Sequence, residues 1–183
     1  MRDRIYPFLA TMIGGEQVAL IGYSTEHLIE MARPTGVIRI ESIETALRRW
    51  MQQLEMMGIN KVIAISHAGR ERDREIASTI PGLAVIVGAA PDPAGGKVAR
   101  YLVVHKGPTG APVLLVQPDA FGRSLGRLDV TFDGRGVPAH WTGNALEITD
   151  AGAEDPGIKA FVAQLAAPLT ARPVADRRLQ PLR

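Results

Sequence analysis

Ile59-Asn-Lys-Val-Ile-Ala-Ile-Ser-His-Ala-Gly69 and Gly82-Leu-Ala-Val-Ile-Val-Gly-Ala-Ala-Pro-Asp92 decide the fold. Each holds a short, unbroken apolar run, Lys61 to Ser66 and Leu83 to Val87, that ends in small or polar residues. Continuous apolar runs of this length are expected of strands covered on both faces, as in a parallel sheet. Between them, Arg70 to Ile80 is a charged helical stretch that stops at Pro81. Upstream, Ile43, Ala46, Leu47, Trp50, Met51 and Leu54 recur at three- and four-residue spacing within Ser42 to Met57. That spacing puts them on one helix face, with Ser42 as N-cap and Gly58 just past the end. Glu16 to Gly22 reads as a further strand, which completes a βαβαβ unit.

Downstream the pattern changes. Ala99 to His105 and Pro112 to Gln117 are strands joined by the turn residues Lys106-Gly-Pro-Thr-Gly110. Leu125 to Phe132 alternates, with Leu128, Val130 and Phe132 on one face and Arg127, Asp129 and Thr131 on the other. Asp133-Gly-Arg-Gly136 turns the chain into Val137 to Ile148. The expected fold class is therefore α/β, a βαβαβ unit followed by an antiparallel meander. A helix from Pro156 to Leu165 closes a domain over 1–167, and 168–183 is a Pro- and Arg-rich stretch that predicts a mobile tail.

Composition excludes several functions. The formal charge of the 183 residues is only +2 and aromatics make up 5%, so neither a basic field nor a base-stacking platform for nucleic acid is expected. The absence of cysteine rules out disulfides and thiolate metal sites. No run approaches the ~20 apolar residues of a membrane span. Pro7 and Gly14-Gly15 interrupt any leader after Met1, which makes cytoplasm the default location.

His67 is the main candidate site residue. It sits at the C-terminal lip of a buried strand, where open α/β sheets gather ligands. Two readings apply to it: a metal ligand or general base, or an imidazole hydrogen-bonded to a nearby loop. His27, His105 and His140 do not stand at ligand spacing with it. Asp92 and Asp119 are the carboxylates that follow strands, and both fit turn or capping roles beside prolines. The run Arg70-Glu-Arg-Asp-Arg74 is most simply a solvated, self-neutralising helix face.

The same residues carry a family resemblance. Gly15-Glu-Gln-Val-Ala-Leu-Ile-Gly-Tyr-Ser-Thr25, Ser66-His-Ala-Gly69, Gly82 to Gly88, and Pro112-Val-Leu-Leu-Val-Gln-Pro-Asp-Ala-Phe-Gly-Arg-Ser-Leu-Gly-Arg-Leu-Asp-Val-Thr-Phe132 resemble the second half of the metallophosphoesterase domain of the 5′-nucleotidase and UDP-sugar hydrolase family. The resemblance implies half of a two-sheet sandwich, a metal-dependent phosphoric ester hydrolase ancestry, and a setting largely outside the cytoplasm. It makes His67 a ligand of one metal. The family's Gly-His-x-His/Gln motif falls on Ala90 and Asp92. Alanine cannot coordinate; Asp92 could serve as a metal ligand, but not with a histidine's geometry. The family's Asp-x-His, Gly-Asp and Gly-Asn-His-Glu motifs do not occur in residues 1–183.

These departures predict a degenerate, noncatalytic chain that serves as a structural or interaction subunit. The alternative is one part of a split phosphomonoester hydrolase completed by another chain. The first needs no cofactor, whereas the second needs manganese- or zinc-type divalent cations shared with its partner. In either case a half-length module is expected to leave apolar surface for a second copy or another protein.

Overall fold

The computed structural model describes residues 6–28, 39–89, 100–149 and 152–170. The chain divides into two compact units, Met1–Ile148 and Thr149–Arg183. The first unit opens with β1 (Phe8–Ile13) and β2 (Glu16–Ser24), an antiparallel pair joined at the Gly14-Gly15 turn. Helix α1 (Ile43–Met56), β3 (Lys61–His67), α2 (Arg70–Thr79) and β4 (Leu83–Gly88) follow. Then come β5 (Leu102–Lys106), β6 (Pro112–Val116), β7 (Ser124–Phe132) and β8 (Pro138–Glu147).

The parallel core matches the expectation: β2 pairs with β3 and β3 with β4, all in parallel. The antiparallel strands after it are also present, and they divide between two sheets. The β5–β6 hairpin joins the large sheet because β6 pairs in parallel with β4. The order of that sheet is β1-β2-β3-β4-β6-β5, while β7 and β8 form a separate antiparallel pair.

The α1 periodicity is realised as a buried face. Ile43, Leu47 and Leu54 are buried, and Trp50 and Met51 pack beside them. The Ser42 side chain accepts the Thr45 N–H at 3.3 Å, the N-cap role read from the sequence. At the other end, the Ile59 N–H reaches the Leu54 carbonyl at 2.9 Å and that of Gly58 reaches Glu55 at 2.9 Å, a Schellman closure. Each fully buried leucine here contributes about 1.5–3 kcal/mol.

Strand parity separates two interiors. Ala19 and Ile21 of β2, Val62 and Ala64 of β3, and Ile86 of β4 face α1 and α2. Val85 and Ala84 with Leu114 and Val116 pack against Leu128, Val130, Phe132 and Trp141 of the hairpin. The alternation predicted for β7 is thus observed.

Glycines set how closely this hairpin approaches. A Cβ on Gly126 would lie 2.4 Å from the Tyr101 ring, and one on Gly136 would lie 1.9 Å from the Asn60 carbonyl oxygen. The Asn60 side-chain amide also donates to the Gly134 carbonyl at 3.0 Å. The hairpin is therefore pinned to the large sheet at both of its ends.

The second unit contains α3 (Pro156–Thr170). Pro156 is its first residue, and the Asp155 carboxylate accepts the Ile158 N–H at 2.9 Å. The boundary expected between 167 and 168 falls inside this helix; residues 171–183 lie outside the described residues. No helix among the described residues is long and apolar enough to cross a membrane.

Candidate functional site

The C-terminal ends of β2, β3, β4 and β6 meet at one edge of the large sheet. At that edge, β3 points Ser66 toward the helices and His67 toward the opposite face. Ser66 is 1% exposed, whereas His67 is exposed, so adjacent residues stand in different environments.

The buried side is a polar cluster centred on Asp73. The Ser66 hydroxyl donates to Asp73 Oδ1, and the Tyr23 hydroxyl donates to the same oxygen at 2.8 Å. Ser66 Oγ in turn accepts the Ala68 N–H at 3.1 Å, and the Asp73 N–H donates to the Gly69 carbonyl at 2.9 Å. The 66–69 turn, which carries His67, is therefore held by a carboxylate in the first turn of α2. Gly88 at the end of β4 makes room for the cluster: a Cβ there would stand 3.1 Å from Asp73 Oδ2 and 3.2 Å from Gln117 Oε1. Burial pushes the Asp73 carboxyl above its ordinary range, against the opposing hydrogen bonds from Ser66 and Tyr23 and the charge of Arg70. Burial, and then the Asp73 charge, push the Tyr23 phenol well above its ordinary value.

This cluster corrects the reading of the Arg70 to Arg74 run as a solvated face. Asp73 is 3% exposed. The signal was present in the sequence, because Asp73, Ile76, Ala77 and Ile80 share i, i+3, i+4, i+7 spacing and all four are buried. Arg72 is also no free surface charge. It pairs with Glu44 and Glu75 at 2.8 Å and with Glu26 at 3.2 Å, linking α2 to α1 and to the segment after β2.

On the open side, His67 has no hydrogen-bond partner among the described residues. It shares its face with Ile63, half-buried, and Ile65, 48% exposed. His105 lies elsewhere, its Nε2 2.7 Å from the Ser78 hydroxyl, and His140 lies on β8. Asp119 has its backbone N–H on Ser124 Oγ at 2.8 Å, a turn role. Ala90 and Asp92 lie outside the described residues. Among the described residues, no group of three or more His, Cys, Asp or Glu side chains could hold a metal ion. A dinuclear phosphoesterase centre needs a dense set of nitrogen and oxygen donors around two cations. Among the described residues the lip offers one imidazole, His67, which does not by itself meet that requirement.

No family model matches this chain. It is 31% identical over 170 residues to snake venom 5′-nucleotidase from Naja atra, covering 88% of this chain and 32% of that protein. Its structure superposes on the 5′-nucleotidase precursor from Thermus thermophilus with a TM-score of 0.81 and 30% identity, over 90% of this chain and 34% of the other. The calcineurin-like phosphoesterase YfkN from Bacillus subtilis shares the fold, with a TM-score of 0.70 at 16% identity over 91% of this chain and 58% of the other. The chain spans about a third of the length of the curated relatives it matches.

Proposed function

This chain belongs to the 5′-nucleotidase family, and we propose that on its own it is a non-hydrolytic member serving as a structural or interaction subunit. The observation that carries this reading is the donor set at the lip. His67 is one imidazole on a face where water activation between two hard cations requires many donors. The strand that follows leads to Ala90, where the family pattern places a histidine. Without a bound metal there is no cheap route to a hydroxide nucleophile at neutral pH.

The purified chain tests this directly. It is incubated with Mn²⁺ or Zn²⁺, its metal content is measured, and release of phosphate from 5′-AMP and p-nitrophenyl phosphate is followed. The expected result is substoichiometric metal, no turnover above the metal-only blank, and no change in either on His67→Ala. Turnover that His67→Ala abolishes would overturn the proposal.

A second reading is favoured by the orientation of His67. Its exposed ring stands on the open face of the sheet, the position required of a ligand shared with another polypeptide. In that case the chain is one part of a split phosphomonoester hydrolase, and manganese or zinc binds stoichiometrically only in the presence of the partner. Metal uptake that needs both the partner and His67 would select this reading over the first.

A further inference from the structure

We propose that a cleft at the N-terminal ends of β3 and β4 binds a small organic monoanion, an apolar body carrying one carboxylate. The cleft lies at the end of the large sheet opposite His67, and the proposal goes beyond both functional readings above without resting on either.

The walls come from four places in the chain. Helix α1 presents Arg48, Met51, Gln52 and Glu55, whose i, i+3, i+4, i+7 spacing puts them on one face. The connection from α1 to β3 gives Ile59 and Asn60, the turn before β4 gives Pro81 and Gly82, and the β7–β8 turn gives Arg135. The cleft has a volume of about 710 Å³. Small-molecule sites occupy roughly 300–1,000 Å³ and combine an apolar lining with a few convergent polar groups.

Three observations set the ligand's chemistry. First, the floor is apolar. Val62 and Ile59 are 1% and 2% exposed, and Met51 and Pro81 share the lining with them. Gly82, with φ of 84°, lets Met51 lie against the backbone: a Cβ there would stand 2.8 Å from Met51 Cε. An unbranched thioether side chain adapts readily to the shape of an apolar ligand.

Second, the rim sets two guanidiniums against one carboxylate, that of Glu55. Arg48 is oriented by a hydrogen bond from Nη2 to the Thr79 carbonyl at 3.0 Å. The carboxylate one turn before it, Glu44, is engaged by Arg72 at 2.8 Å. Arg135 holds Asp133 only at 3.4 Å, and its side chain is 85% exposed. The helix ends that border the cleft add little negative charge, because their carbonyls are bonded. Those of Gln53, Leu54 and Glu55 accept N–H groups from Met57, Gly58 and Ile59, and that of Thr79 accepts Arg48. A planar carboxylate suits guanidinium forks and matches the single excess positive charge. A dianionic phosphate ester would exceed that charge and meet repulsion from Glu55.

Third, the walls are set before a ligand arrives. The Asn60 side-chain amide donates to the Gly134 carbonyl at 3.0 Å and Gly136 packs on the Asn60 carbonyl, so the turn carrying Arg135 is held against the start of β3. A preformed cleft loses less conformational freedom on binding than one that must be ordered.

The test titrates the intact chain, without added metal, with 3-phenylpropionate, its uncharged amide 3-phenylpropionamide and the dianion 2-phenylethyl phosphate. Backbone amide shifts are followed by NMR. For 3-phenylpropionate the expected result is saturable shifts at Gly58, Ile59, Asn60 and Gly82. The dissociation constant should be on the order of millimolar, as for a fragment of this size, and at least about fivefold tighter than for either analogue. Arg135→Gln should weaken the carboxylate about fivefold and leave the amide unchanged, whereas a variant that merely disturbed the fold would weaken both. Glu55→Gln should bring the phosphate ester closer to the carboxylate in affinity.

The proposal is overturned by the absence of saturable shifts at these four amides up to about 20 mM ligand, or by equal affinity for carboxylate and amide. Tighter binding of the phosphate ester, carboxylate affinity unchanged in Arg135→Gln, or a gap between phosphate and carboxylate unaffected by Glu55→Gln would overturn it equally.

Discussion

Tyr23 donates to Asp73 at 2.8 Å across 50 residues of sequence, tying the end of β2 to the first turn of α2. Ser66 meets the same carboxylate oxygen, so one acceptor anchors two strands. Removing that acceptor leaves two hydroxyls in a buried site without their partner. Asp73→Ala is expected to cost about 1–3 kcal/mol, read from urea denaturation. Asp73→Asn keeps an oxygen in place and is expected to cost clearly less.

The same carboxyl gives a pH dependence of defined sign. Burial raises its folded-state pKa above its unfolded value. Over the interval between the two, the native state binds more protons than the unfolded state, so this group's contribution to stability falls as pH rises. The wild-type chain is expected to lose stability relative to Asp73→Asn as pH rises from below the ordinary aspartate value through the raised one. Chemical denaturation of both proteins across that acidic window checks it; a difference independent of pH would refute it.

Gly136 and Gly134 occupy the same hairpin turn with unequal constraints. A Cβ at Gly136 would overlap the Asn60 carbonyl, and its φ of 81° disfavours any other residue. A Cβ at Gly134 meets nothing within 4 Å. Gly136→Ala is expected to destabilise by at least about 2 kcal/mol, from backbone strain and displacement of the hairpin. Gly134→Ala should stay within about 0.5 kcal/mol. Thermal unfolding of the two variants separates them.

Arg72 joins three carboxylates while its side chain remains 27% exposed. Its replacement by Met retains most of the packing and is expected to cost roughly 1 kcal/mol at low salt, because exposed pairs are individually weak and only the network adds to them. The cost should shrink in about 1 M NaCl, where screening is strong. A loss unaffected by salt would indicate packing rather than charge.

The legible parts of the fold are those in which one residue class repeats. Leu47 and Leu54 announce α1 by spacing, and Val62 to Ile65 and Leu83 to Val87 announce buried strands by unbroken apolarity. Strand β1 carries no such mark because it lies at an edge; Leu9, Met12 and Ile13 are all more than half exposed. The β5–β6 hairpin is visible in the sequence, but its attachment to β4 depends on a partner remote along the chain. Of the candidate site, His67 can be read from its place after a strand. Asp73 cannot be separated by composition from the arginines and glutamates around it, and only its phase on the helix distinguishes it.

The parity of β3 makes Ser66-His-Ala-Gly69 two signals rather than one. Ser66 belongs to the interior and Gly69, with φ of 100°, to the entry of α2; both answer to folding. Only His67 faces outward and is free to answer to chemistry. Selection to keep the chain folded would therefore preserve the motif's serine and glycine, together with the Asp73 that Ser66 bonds, whether or not the chain turns over a substrate. In comparisons among such chains, the motif as a whole reports a stable protein, and activity must be judged from the outward positions alone.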